Sequence, residues 1–132
     1  MNSFRTRVLL IDDSPSSLVW QLVLLQEENY DTLTSNCTAE GVRIARMERP
    51  DLVILDATSR YDEVLAAAAE LRADQSTRAI PVLLVLGNGR KRSSEELTRV
   101  SDDCVTKPLD REEYIGKIRA LLGRHRRGSG PR

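Results

Sequence analysis

The chain has few of the residues that build metal and redox centres: two cysteines, Cys37 and Cys104, and a single histidine, His125, in 132 residues. They stand far apart without ligand-like spacing, which argues against a Cys/His metal cluster and fits a reducing, cytoplasmic setting. Net charge is lacking as well. Twenty Lys and Arg balance 20 Asp and Glu, so no global field selects nucleic acid or an anionic membrane. The last nine residues hold four arginines and no acid, leaving a mildly acidic body. No apolar run reaches the length needed to cross a bilayer, and "MNSFRTR" lacks the apolar stretch of a signal peptide. The chain is expected to be soluble and cytoplasmic, with no membrane partner. No internal repeat is visible. "LGNGRKRSSEE" has two glycines and three bases, but not the G-x-x-x-x-G-K-[ST] order of a phosphate loop. It reads as a flexible loop, with Ser93 and Glu96 capping the helix that follows. "GRKR" and "GRHRR" lead into no helix-turn-helix pattern, so direct nucleic-acid binding is not expected of this domain.

What is present is alternation. The length suits one domain with a real core. Five short apolar runs recur: 7–11, 30–34, 51–55, 81–86 and 104–106. The first, third and fourth are continuous, as strands covered on both faces are. The segments between them carry helical spacing: Leu18, Val19, Leu22 and Leu25 in one, Val42, Ala45 and Met47 in the next. Trp20, beside Val19 and Val23, reads as a packing residue, and Cys104 as a small buried hydrophobe. Asp110 and Glu113 form a capping-box pattern, and Gly123 sits where a helix can end. Strict βα alternation predicts a doubly wound α/β domain with a parallel sheet and right-handed crossovers over residues 1–123. Residues 124–132 read as a basic, flexible tail or linker.

In an open parallel sheet the crevice lies beyond the carboxyl ends of the strands. Asp12 and Asp13 follow the first strand, Asp56 the third and Lys107 the fifth. Alone, the acids could be a solvated strand end or a helix N-cap, and Lys107 with Pro108 a turn; Ser59 or Asp62 offers the better helix start. Together, three carboxylates on one rim repel each other and call for a cation. A hard ion such as Mg²⁺ suits an all-oxygen site with room for a phosphate. A carboxylate beside such an ion can attack phosphorus, and an ammonium can pair with the phosphoryl group.

The stretches "VLLIDDSP", "RPDLVILD" and "VTKPLD", in this order and spacing, resemble the signatures of the response-regulator receiver domain of two-component signalling over roughly residues 6–122. The resemblance implies a CheY-like fold with five helices and strand order 2-1-3-4-5. It implies Mg²⁺ held by Asp12, Asp13, Asp56 and the backbone carbonyl of Thr58. It further implies Asp56 as phosphoacceptor for a histidine kinase or phosphotransfer protein, Lys107 as phosphoryl contact, and an output surface across residues 93–122 that meets an output domain or partner protein.

The sequence departs from that family at its switch. Leu86 stands where a threonine or serine hydroxyl is usual, and leucine cannot donate a hydrogen bond. Cys104 stands where an aromatic is usual, and Ser59 and Arg60 replace a methionine-proline pair. A hydrogen bond to an ionised group is worth about 1.5–3 kcal/mol, comparable to the gap between two conformers. Phosphoryl chemistry is therefore expected and the usual switching is not. Two other classes stay open: a phosphorylation-independent pseudo-receiver acting as an interaction module, and a phosphatase, since "LDATS" distantly resembles D-x-D-x-T but lacks the second aspartate. The expectation is a signalling module and not an enzyme.

Overall fold

The computed structural model describes residues 5–88 and 94–128, the side chains of 125–128 apart. Strands and helices alternate throughout: β1 (Arg7–Ile11), α1 (Pro15–Glu27), β2 (Asp31–Ser35), α2 (Thr38–Glu48), β3 (Leu52–Asp56), α3 (Tyr61–Ala73), β4 (Val82–Leu86), α4 (Ser94–Val100), β5 (Asp103–Thr106) and α5 (Arg111–Gly128). All strand pairs are parallel, in the order β2-β1-β3-β4-β5. Both the doubly wound fold and the implied strand order are thereby found.

The continuous apolar runs become the three central strands because each must be covered on both faces. β3 and β4 are buried at every position. Alternate residues serve two cores. On one side, Leu9, Ile11, Val53, Leu55, Leu84 and Leu86 pack under α2, α3 and α4. On the other, Val8, Leu10, Leu52, Ile54, Leu83 and Val85 pack under α1 and α5. The edge strands β2 and β5 are only partly buried.

Several helical details differ from expectation. α1 buries Gln21, Leu24 and Leu25, whereas Val19, Trp20 and Val23 lie on its exposed face, Trp20 being 52% exposed. The stretch is apolar nearly all round, so spacing alone left its phase open. In α2 the buried residues are Gly41, Val42 and Ala45, which turns Met47 to solvent. α3 begins at Tyr61, between the two starts anticipated, with Asp62 and Glu63 in its first turn, where the helix dipole favours acids. Asp110 accepts from the Glu113 N–H at 2.9 Å, one half of the capping box. α5 does not stop at Gly123 but continues to Gly128. Glycine permits a helix end without forcing one, so the segment expected as tail starts as helix. The expected loop at 89–93, with the Ser93 cap, and residues 129–132 lie outside the described residues.

Gly41 sets the distance between α2 and β1. A Cβ there would stand 2.3 Å from Ile11 Cδ1 and 2.6 Å from Ile11 Cγ1. The helix therefore approaches the strand end that leads directly into Asp12 and Asp13.

Candidate functional site

The carboxyl ends of β1, β3 and β5 bring Asp12, Asp56 and Lys107 together, as the topology requires. Asp12 is 1% exposed and Asp56 5%. Lys107 Nζ lies 2.9 Å from Asp56 Oδ2. It also donates to Ser17 Oγ at 2.8 Å, and Ser17 Oγ is 3.2 Å from the same Asp56 oxygen. Asp56 Oδ1 accepts from the Thr58 N–H at 3.0 Å, and Asp12 Oδ1 from the Ser14 N–H at 3.0 Å. Asp56 thus ends a strand and caps no helix. The Lys107–Pro108 peptide that follows β5 is cis.

Between the two acids lies a residue that sequence reasoning missed. Gln21 Nε2 stands 3.1 Å from Asp12 Oδ2 and 2.9 Å from Asp56 Oδ2. The Tyr114 hydroxyl donates to Gln21 Oε1 at 2.7 Å. Carboxylates only accept, so the amide must turn its NH₂ toward them. The signal for Gln21 was its position, a lone amide inside the apolar stretch "LVWQLVLL". Ser17 and Tyr114 carried no comparable mark.

The two carboxyls are driven in opposite directions. Burial is the largest influence on Asp12 and pushes it above the ordinary value of 3.8. The charge of Asp56 adds to this, while Ser17, Ser14 and Lys107 oppose it. Burial also pushes Asp56 upward, but hydrogen bonds from Thr58 and the Lys107 ammonium outweigh it and hold Asp56 below its ordinary range. The Tyr114 hydroxyl is driven far up by burial and by the charges of Asp56 and Asp12, and so stays protonated as a donor.

Asp13 behaves differently. It lines the same cavity of about 110 Å³ as Asp56, together with Cys37, Arg60 and Glu63. Its carboxylate, however, accepts from Ser59 Oγ at 2.8 and 2.9 Å and from Arg60 Nε at 3.1 Å. The two residues that replace the usual methionine-proline pair therefore hold one of the expected metal ligands. Thr58 sits under Gly87, where a methyl group would stand 3.8 Å from its carbonyl oxygen.

Among the described residues no group of three or more His, Cys, Asp or Glu side chains gathers into a metal cluster. The donor chemistry nonetheless fits a hard cation, since the acids and the Thr58 carbonyl offer oxygen alone. Leu86 is buried in the α2/α3/α4 core and Cys104 packs against it. Cys104, expected to be buried, is only partly so, and that burial raises its thiol above the ordinary value. Cys37 is exposed. No helix among the described residues is long and apolar enough to cross a membrane.

Residues 8–119 match the family described as response regulator receiver domain. Protein PilH of Pseudomonas aeruginosa is 31% identical over 117 residues, which cover 88% of this chain and 97% of PilH. RpaA of Synechocystis, a DNA-binding dual master transcriptional regulator, is 32% identical over 89% of this chain and 49% of its own length. The chain thus spans nearly all of PilH and about half of RpaA. Among solved structures, the receiver domain of the sensor histidine kinase PA1611 from Pseudomonas aeruginosa, with a magnesium ion coordinated in its active site cleft, aligns at a TM-score of 0.80 and 22% identity, covering 90% of this chain and 98% of that one. A CheY-like receiver domain protein from Methanospirillum hungatei aligns at a TM-score of 0.81 and 20% identity, covering 95% and 99%. At such identities the two likenesses establish the fold alone.

Proposed function

The chain belongs to the response regulator receiver domain family, and from that premise we propose that it takes a phosphoryl group on Asp56 from a histidine kinase or phosphotransfer protein, with Mg²⁺ bound. The observation that carries this reading is the buried Asp56 at the end of β3 with Lys107 Nζ at 2.9 Å. Asp56 stays ionised at neutral pH because its carboxyl is held below the ordinary range. A carboxylate oxygen of Asp56 forms the new bond to phosphorus as the bond to the donor nitrogen breaks, and that electron pair returns to the imidazole. Lys107, already fixed by Ser17, pairs with the phosphoryl oxygens. Asp12, Asp13, Asp56 and the Thr58 carbonyl would hold Mg²⁺, which when bound neutralises charge on the transferring group. The module takes one phosphoryl group and is not a turnover enzyme. It acts in the cytoplasm, and the output surface expected across residues 93–122 meets its output domain or partner.

Incubation with acetyl phosphate and Mg²⁺ should place an acid-labile phosphate on the wild-type chain and none on Asp56→Asn. An unchanged intact mass for the wild type would overturn the reading.

A second reading, an interaction module independent of phosphorylation, is favoured by Leu86 and Cys104 at the switch positions and by the grip of Ser59 and Arg60 on Asp13. Under it, Asp56→Asn leaves partner binding intact. Loss of binding equal to that of a deletion removes it.

A further inference from the structure

Gln21 is the one polar residue that α1 buries, and its surroundings are built around it. It and Tyr114 are both 0% exposed, so no water shares their hydrogen bonds at the surface. The donors run in one direction: the Tyr114 hydroxyl gives its proton to Gln21 Oε1, and the Gln21 amide gives its hydrogens to Asp12 Oδ2 and Asp56 Oδ2, with Ser17 Oγ a longer third acceptor at 3.3 Å. The contacts with Tyr114 and the two acids lie between 2.7 and 3.1 Å. A neutral amide with two hydrogens thus stands between two buried carboxylates that would otherwise repel across a low-dielectric gap.

The oxygens of Asp56 are not equivalent. Oδ2 accepts from Lys107, Gln21 and Ser17, whereas Oδ1 accepts from the Thr58 N–H. Any change of charge at Asp56 therefore alters what Gln21 is bonded to. The other end of that amide is tied to α5, because Tyr114 opens the buried face of that helix with Ile115 and Ile118. By contrast, Leu86 supplies no hydroxyl to report the state of Asp56 to the opposite core.

We propose that Gln21, anchored by the Tyr114 hydroxyl, is a positioning residue: it holds Asp12 and Asp56 together in the cation-free protein and transmits a change of charge at Asp56 to α5. This rests on the reading of the site as one that takes Mg²⁺ and a phosphoryl group. Without the amide, the two acids lose their shared donor and the cation-free state loses more than the cation-bound one.

The test compares wild type, Gln21→Met and Tyr114→Phe by Mg²⁺ titration in a calorimeter and by ¹H–¹⁵N spectra of α5 amides. Gln21→Met should bind Mg²⁺ about three- to tenfold more tightly, and Tyr114→Phe should shift affinity the same way by less. Mg²⁺ should move the α5 amide signals of the wild type but not those of Tyr114→Phe, while signals around Asp13 and Thr58 still respond in both. Unchanged affinity in both variants, or an α5 response that survives Tyr114→Phe, overturns the proposal. A wild type that neither binds Mg²⁺ nor takes phosphate from acetyl phosphate removes this proposal and the function together, which separates the two failures. Tyr114→Phe keeps the packing volume, so the test does not hang on the fold of Gln21→Met.

Discussion

Arg60 holds Asp13 from the loop between β3 and α3, and its side chain is 64% exposed. Such a pair is weak, about 0–1 kcal/mol, yet it competes directly with any cation that takes Asp13 as ligand. Arg60→Ala should therefore strengthen Mg²⁺ binding by roughly two- to fivefold, an effect that fades at high ionic strength. Calorimetric titration at two salt concentrations checks this; equal or weaker binding would show that the guanidinium does not compete. At this scale the sequence was partly legible. Asp12, Asp56 and Lys107 were readable because strand ends converge whatever the side chains between them do. The pairing of Asp13 with Ser59 and Arg60 was not, since it depends on rotamers across a loop 46 residues away in sequence. Gln21 was hidden for another reason: in a helix that is apolar nearly all round, no pattern says which residue faces the sheet.

At the scale of elements, α2 lies close against β1 beside the site. Because a Cβ at Gly41 would overlap the Ile11 side chain, and Ile11 belongs to the packed core, Gly41→Ala should destabilise the fold by about 1–3 kcal/mol. Ile11→Val in the same background should recover part of that loss. Urea midpoints for the two single variants and the double variant measure the coupling, and additive changes would show that the strain is relieved elsewhere. The central strands were legible because burial on both faces writes itself as a continuous apolar run. The edges β2 and β5 were vaguer, being half solvated, and the limits of every strand but β1 shifted by a residue. The end of α5 was misread at Gly123, where a residue tolerant of many conformations kept the helical one. Lys117, which reaches from α5 to the Cys104 carbonyl at 2.7 Å, was equally invisible, as a lysine on a helix surface ordinarily faces water.

Taken as a whole, the molecule places two oppositely perturbed acids in its interior, and they contribute with opposite sign to its dependence on pH. Asp12 has a folded-state value raised above 3.8; its favourable contribution is full below the unfolded value and is lost as pH rises through the folded one. Asp56 is depressed; its contribution is present above the unfolded value and lost as pH falls through the folded one. Asp12→Asn should accordingly be more stable than wild type at neutral pH, with the difference closing as pH falls toward 3.8. Denaturant curves at a series of pH values test this, and a difference that widens on acidification would reverse the assignment. The global topology was the most legible feature of all, because connection length and apolar periodicity allow few sheets.

The lone tryptophan rests half in water on the outer side of α1, whereas Tyr114 is sealed beneath it. Melting the protein changes the surroundings of the phenol far more than those of the indole. Emission spectra excited at the indole band will therefore understate denaturation, and near-ultraviolet tyrosine absorbance will follow the loss of tertiary order.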